Sequence, residues 1–155
     1  KNIALYTKHR IFTETEMRSR NEIHFESYCK VVNIEALTMI DMAKKQIIPA
    51  VIKYLRDVSQ TAVSVSALGA DVVVETELVK NISVVMKSLN EAIAALGETV
   101  CKSHKIGEYS ELAMFMRDKV IPAMNHARKF ADELETMVGK EYWPYPTYGE
   151  LLFSV

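Results

Sequence analysis

The side chains in this sequence that could bind a transition metal are four histidines and two cysteines: His9, His24, His104, His126, Cys29 and Cys101. A di-iron site in a four-helix bundle requires Glu-x-x-His on two of its helices. No histidine here has a glutamate three residues before it, so this spacing is missing. Cys101 and His104 could supply two zinc ligands, but no second pair follows at a fitting distance. We interpret Cys101 as a helix-end residue and His104 as a surface residue.

Motifs for nucleophilic catalysis and phosphate binding are also missing. The sequence has no Gly-x-Ser-x-Gly, and neither cysteine lies in a motif that would activate it. Its five glycines are scattered, so they cannot form a loop that cradles a phosphate. Glu22, Glu26 and Glu35 partly share a helix face, but Arg18 and Lys30 lie nearby, which is typical of a solvated, ion-paired surface. We therefore predict no catalytic, cofactor-binding or metal-binding residue.

Length and composition indicate one globular domain with an ordinary core. The chain has 155 residues, of which 49% are hydrophobic and 25% charged, with a net charge of −1. Near the start, Arg18 and Arg20 are interleaved with Glu14 and Glu16, so no basic stripe forms. We therefore expect no nucleic-acid partner and no membrane partner. Two cysteines build no disulfide framework, and this predicts a reducing, cytoplasmic location.

Apolar residues recur every three or four positions along most of the chain, which indicates long helices packed in a bundle. Thr13 to Glu16 matches a capping box and predicts the start of the first helix. Its apolar positions are Ile34, Leu37, Ile40, Ile47, Val51, Leu55, Val58, Ala62 and Val65. This pattern continues past Pro49, where we expect a kink, and Gly69 is a natural stop.

Two more helices are predicted after Gly69. Asp71 can cap the second, whose apolar seam is Leu78, Ile82, Val85, Leu89, Ala92, Leu96 and Val100. The third runs from about residue 108 to 138, with a kink expected at Pro122 and a stop at Gly139. Residues 63–74 could instead form a β-hairpin by local propensity, although the helical period on both sides favours helix–turn–helix.

The last fifteen residues are aromatic, apolar and interrupted by Pro144 and Pro146, which exclude a helix interior there. Such a segment is expected to dock on a surface, either its own bundle or a neighbouring subunit. The predicted docking residues are Trp143, Tyr145, Tyr148, Leu151, Leu152 and Phe153. The predicted fold class is mostly α: a bundle of long, proline-kinked antiparallel helices with an extended aromatic C-terminal tail.

Two stretches of the sequence resemble a known family, and a third does so more weakly. The end, Tyr142-Trp143-Pro144-Tyr145-Pro146-Thr147-Tyr148-Gly149-Glu150-Leu151-Leu152-Phe153, looks like the C-terminal end of type III glutamine synthetases. The second stretch is Phe12-Thr13-Glu14-Thr15-Glu16-Met17-Arg18-Ser19-Arg20-Asn21-Glu22-Ile23, followed by Tyr28-Cys29-Lys30 and by residues 33–40. The weaker stretch is Arg117-Asp118-Lys119-Val120-Ile121-Pro122-Ala123-Met124. Together they span nearly the whole chain in family order.

This resemblance implies a non-catalytic C-terminal helical domain of an enzyme that joins ammonia to glutamate with ATP and magnesium. In that family the nucleotide, metal and glutamate ligands lie upstream, in the catalytic domain, so we expect no cofactor in this chain and no activity from it alone. The implied partners are the catalytic domain and neighbouring subunits of a homo-oligomer, and the implied role is subunit packing or regulation. The alternative is a stand-alone helical protein-interaction module. We divide the chain into residues 1–12, a lead-in expected to continue from a larger protein, residues 13–140, the bundle, and residues 141–155, the docked tail.

Overall fold

The described part of the chain is built from helices. The computed structural model describes residues 2–146 and 148–153, and for Tyr148 the backbone only. Its helices are α1 (Asn2–Lys8), α2 (Glu14–Met42), α3 (Ile48–Ala67), α4 (Val73–Ser103), α5 (Tyr109–Phe115), α6 (Ile121–Met137) and α7 (Tyr148–Phe153). No strand occurs among these residues, so the mostly α prediction is confirmed and the β-hairpin alternative is wrong. None of the described helices is long and apolar enough to cross a bilayer.

The predicted capping box starts α2. The Glu16 backbone N–H donates to the Thr13 hydroxyl at 3.3 Å, and the Thr13 backbone N–H donates to the Glu16 carboxylate at 2.8 Å. Each side chain therefore satisfies a backbone donor that the helix end would leave free. The same contacts, chiefly the Thr13 backbone N–H, hold the pKa of Glu16 below its usual value.

Both internal prolines directly follow a π-helical turn. Ala43–Ile47 joins α2 to α3 and Met116–Val120 joins α5 to α6, while Pro49 and Pro122 each occupy the second position of the following α-helix. In each turn a backbone N–H reaches back five residues, from Ile48 to Ala43 and from Ile121 to Met116. A wider turn accommodates a ring that crowds the carbonyl four residues earlier. The bend predicted at each proline stays a prediction.

The connection between α3 and α4 is a tight turn at Gly69. Gly69 has φ of +82°, which is the left-handed region that favours glycine, and its N–H donates to the Ser66 carbonyl at 2.9 Å. The prediction that Asp71 caps α4 is wrong. Val72 is the N-cap and makes no side-chain capping bond, because α4 begins at Val73 and Asp71 lies one residue too early.

Three long helical rods, residues 14–67, 73–103 (helix α4) and 109–137, run up, down and up, and each contacts the other two. One buried cluster joins the start of α3, the first half of α4 and the end of α6, through residues such as Val51, Ile82 and Leu134. The other joins α2, the second half of α4 and α5, through residues such as Val32 and Val100. High-numbered α4 residues therefore meet low-numbered residues of both neighbouring rods, so α4 is antiparallel to both.

The inward face predicted for α2 is right at Ile40, which is half-buried against both clusters, and wrong at its other two positions. Ile34 and Leu37 were expected in the core, but they are 62% and 47% exposed. The buried residues of this helix are Cys29, Val32 and Ala36. Apolar side chains lie on both faces of α2, so the spacing of apolar residues alone does not select the buried one.

Alanine substitutions at two glycines are expected to act in opposite directions. Gly69→Ala places a Cβ on a positive φ and should lower the free energy of unfolding by about 1 kcal/mol. Gly97→Ala lies inside α4, where an added Cβ meets nothing within 4 Å, and should raise it by roughly 0.5–1 kcal/mol. Urea denaturation of both variants measures the two changes, and the same sign for both would contradict this account.

Candidate docking surface

The predicted tail, residues 141–155, and the two residues before it are described over residues 139–146 and 148–153, and they divide into two parts that behave differently. Residues 139–146 form turns and bends, and Tyr148–Phe153 is helix α7. The prediction of an extended tail is therefore wrong for α7, because Pro144 and Pro146 exclude a helix only up to their own positions. We call residues 139–146 the docked segment and treat α7 separately below.

Tyr142 fixes the docked segment to α3. Its ring meets the ring of Tyr54 edge to face at a centroid distance of 5.2 Å, and its hydroxyl donates to the Asp57 carboxylate at 2.8 Å. A Cβ at Gly139 would lie 3.4 Å from the Tyr54 ring, which is an ordinary van der Waals distance, so this contact does not require glycine. The hydrogen bond from Arg56 is the main cause that holds the pKa of Asp57 below its usual value, and the hydrogen bond from the Tyr142 hydroxyl adds to it. The hydrogen bond to Asp57 in turn raises the pKa of Tyr142.

Trp143 and Tyr145 continue the docked segment along the bundle. Both rings are half-buried and pack against the cluster that contains Ile47, Leu89 and Ala127. The Tyr145 hydroxyl is buried and has no hydrogen-bond partner within the described residues. Burial raises the pKa of Tyr145. Two of the six predicted docking residues therefore lie on the chain's own bundle.

Helix α7 leaves its large apolar side chains in solvent. Leu151, Leu152 and Phe153 are 62%, 77% and 81% exposed. Glu150 of the same helix pairs with Lys140 at 2.7 Å, which connects α7 to the beginning of the docked segment. The side chain of Tyr148, the remaining predicted docking residue, lies outside the described part of the structure. Three adjacent exposed apolar side chains are typical of a surface that a partner covers.

Sequence patterns missed an apolar groove in the bundle. It has a volume of about 500 Å³ and lies between α2 and α6, above α4. Its lining includes Met39, Met42, Leu89, Ile93, Met124 and Ala131. The abundance of methionine, which the sequence does show, is typical of adaptable binding surfaces as well as of cores.

The residues considered for metal or acid–base chemistry are dispersed. Cys29 is buried and its thiol donates weakly to the Tyr109 carbonyl at 3.8 Å, while Cys101 is exposed near the end of α4. Burial raises the pKa of Cys29. The Glu26 carboxylate pairs with Lys30 at 2.7 Å. Within residues 2–146 and 148–153, histidines, cysteines and carboxylates form no group that could hold a metal ion.

Comparisons with known proteins agree with the resemblance noted from the sequence. Residues 1–66 match the family model described as the glutamine synthetase C-terminal domain. The chain is 35% identical over 156 residues to a glutamine synthetase from Butyrivibrio fibrisolvens, an alignment that covers 99% of the chain. It is 29% identical to a type-3 glutamine synthetase from Dictyostelium discoideum, again over 99% of the chain. A third relative, the glutamine synthetase of Bacteroides fragilis (strain YCH46), is 27% identical over 97% of the chain.

The chain spans about 22% of the length of each of these relatives. The aligned portion is their C-terminal part. The predicted similarity to the C-terminal helical region of a type III glutamine synthetase is therefore confirmed.

Proposed function

We propose that this chain, which is similar to the C-terminal domain of type-3 glutamine synthetases, is the non-catalytic helical domain of such an enzyme and packs its subunits together. The parent reaction is the ATP-dependent ligation of ammonia to glutamate, with ATP and magnesium bound in the catalytic domain. The observation that carries the packing role is the exposure of Leu151, Leu152 and Phe153 beyond a segment that is otherwise docked. Exposing these side chains is unfavourable unless the complete enzyme covers them.

The outer face of α2 supports the same role. Val31, Ile34 and Leu37 are exposed, although the opposite face of this helix is already buried in the bundle. A helix that is apolar on both faces is typical of one enclosed on both sides. We infer that the catalytic domain or a neighbouring subunit covers this outer face in the parent enzyme, so that the bundle serves as an internal spacer.

The test compares two serine variants of the complete enzyme. The triple change Leu151→Ser, Leu152→Ser and Phe153→Ser removes the exposed apolar surface of α7. The matched control is Leu68→Ser, which changes an equally apolar residue that is 87% exposed in the turn after α3. Sedimentation velocity should show smaller assemblies for the triple variant and the wild-type assembly for the control. An unchanged assembly in the triple variant contradicts the packing role.

The non-catalytic part of the proposal has its own measurement. Titration calorimetry of this chain with ATP and magnesium should show no binding, because its scattered glycines build no phosphate-cradling loop. Micromolar binding at one site per chain would contradict a purely structural role, whatever the sedimentation result.

A further inference from the structure

One end of the docked segment is attached to α3. The Tyr142 ring lies 5.2 Å from the Tyr54 ring, and its hydroxyl donates to the Asp57 carboxylate at 2.8 Å. Tyr54 and Asp57 belong to the first rod, residues 14–67, and both follow its π-helical turn Ala43–Ile47. These contacts hold the docked segment against the part of the rod that lies beyond the turn.

The other end of the docked segment lies beside α2. The Tyr145 ring is half-buried and its hydroxyl is buried. Burial is the main cause that raises the pKa of Tyr145, and the charge of the nearby Asp41 adds to it. Asp41 is a residue of α2, before the turn, and it pairs with Lys45 within the turn. The docked segment therefore reaches the first rod on both sides of the π-helical turn.

The turn between these two attachments is the point at which the first rod bends most easily. The Ile48 N–H reaches back to the Ala43 carbonyl, and Pro49 has no N–H to donate. Long helices bend at prolines and at π-helical turns. Ala43 and Ile47 of this turn belong to the buried cluster against which the three aromatic rings of the docked segment pack. A segment attached on both sides of such a turn limits the bending of the rod.

The second π-helical turn of the chain gives an internal comparison. Met116–Val120 also directly precedes a helix with proline in its second position, at Pro122. Its buried residues belong to the other cluster, against which no aromatic ring of the docked segment packs. The chain thus contains two turns of the same design, and the docked segment packs against the cluster of only one of them.

We propose that the docked segment is a strap across the first π-helical turn and holds α2 and α3 at a fixed angle to each other. While both ends are attached, the strap resists bending of the rod, and release of either end lets the turn open. Coupling between two equilibria is reciprocal, so a contact that lifts the docked segment off the bundle also frees the angle between α2 and α3. Both attachments lie within one chain, so the inference goes beyond the packing role and does not depend on it.

Hydrogen exchange of the full chain tests the strap by comparing the two turns. Tyr145→Ala releases the end beside α2, and Tyr142→Ala releases the end on α3. Each change should speed exchange of the amides of residues 43–48 by about tenfold and change that of residues 116–121 by less than about twofold. Equal acceleration at both turns would mean that the whole bundle has loosened, and would overturn the proposal. Unchanged exchange at residues 43–48 would overturn it as well.

The double variant distinguishes a strap from two separate packing contacts. A strap works only while both ends are attached, so Tyr142→Ala with Tyr145→Ala should exchange at residues 43–48 no more than about twice as fast as either single variant. Two independent contacts would instead multiply their effects, which contradicts a strap. Tyr145→Phe is the matched control. It keeps the ring and removes a buried hydroxyl that has no hydrogen-bond partner within the described residues, so exchange at the turn should not accelerate.

Distances between spin labels measure the angle itself. Val31→Cys in α2 and Val63→Cys in α3 place labels at exposed positions on either side of the turn, and Cys101→Ser removes the exposed native thiol. We expect a narrow distance distribution in the full chain and a wider, shifted one when Tyr145→Ala is added. If the distribution is the same with and without this change, the docked segment does not set the angle and the proposal fails.

A second pair of labels controls for general loosening of the bundle. Val74→Cys and Glu98→Cys are exposed positions of α4, which is a single α-helix from Val73 to Ser103. The distance between these labels should be unchanged by Tyr145→Ala. Broadening of both pairs would show a loss of bundle structure rather than a released turn, and would count against the strap.

Discussion

Leu89→Ala is expected to lower the free energy of unfolding by about 2–5 kcal/mol, through lost burial and the cavity left behind. Leu89 is 1% exposed and lies in the middle of α4, the helix that both other rods contact. It also lies beneath the open groove, where neighbouring methionines can move into the vacated space. We therefore expect the lower half of that range, measured by chemical denaturation.

Lys87→Ala is the matched control on the solvent face of the same helix. Its ammonium group is 3.9 Å from the Glu91 carboxylate, and both side chains are mostly exposed. An exposed pair of this kind contributes little, so the change should stay within about 0.5 kcal/mol. Similar losses for the two variants would mean that the buried face of α4 has been assigned incorrectly.

The sequence predicted α4 well because this helix is enclosed on two sides. Six of the seven seam residues proposed from their spacing are buried, and Leu78 is half-buried against them. Ile93 lies outside that seam and is also buried. A helix that contacts two neighbours buries a wider arc than a heptad seam describes, so the seam located the core but underestimated its breadth.

The same reasoning did not identify the buried face of α2, because apolar residues occur on two opposite faces of this helix. Ile34 and Val32 are both apolar and lie on opposite faces, and only the second is in the core. Periodicity detects that apolar residues share a face, but it does not tell a face covered by this chain from one that another protein covers. The excess of apolar residues on α2 was nevertheless visible, and it is the feature that now supports an external partner.

The groove could not be predicted from spacing at all. It depends on where Ala43, Ala127 and Ala131 come to face one another across two helices that are distant in sequence. The π-helical turns before Pro49 and Pro122 set the rotation of the helices on either side, and no residue type specifies a π turn uniquely. Local sequence therefore predicted the helices, while the space between them depended on tertiary packing.

Removing residues 142–155 is expected to cost roughly 2–4 kcal/mol of stability. Three half-buried aromatic rings leave the bundle in this truncation, and full burial of a large apolar side chain is worth roughly 1.5–3 kcal/mol each. The hydrogen bond from Tyr142 to Asp57 is lost with them. The melting temperature should fall and newly exposed apolar surface should bind a hydrophobic dye.

Removing only residues 148–155 separates the two halves of the tail. The described apolar side chains of α7 are mostly in solvent, so this shorter truncation should change stability by no more than about 0.5 kcal/mol while abolishing self-association. Trp143, the only tryptophan, remains in it and should keep a blue-shifted, poorly quenched emission. If the two truncations cost the same stability, or if Trp143 is already readily quenched in the intact chain, the docked segment does not hold its own bundle, and the whole tail belongs to the partner.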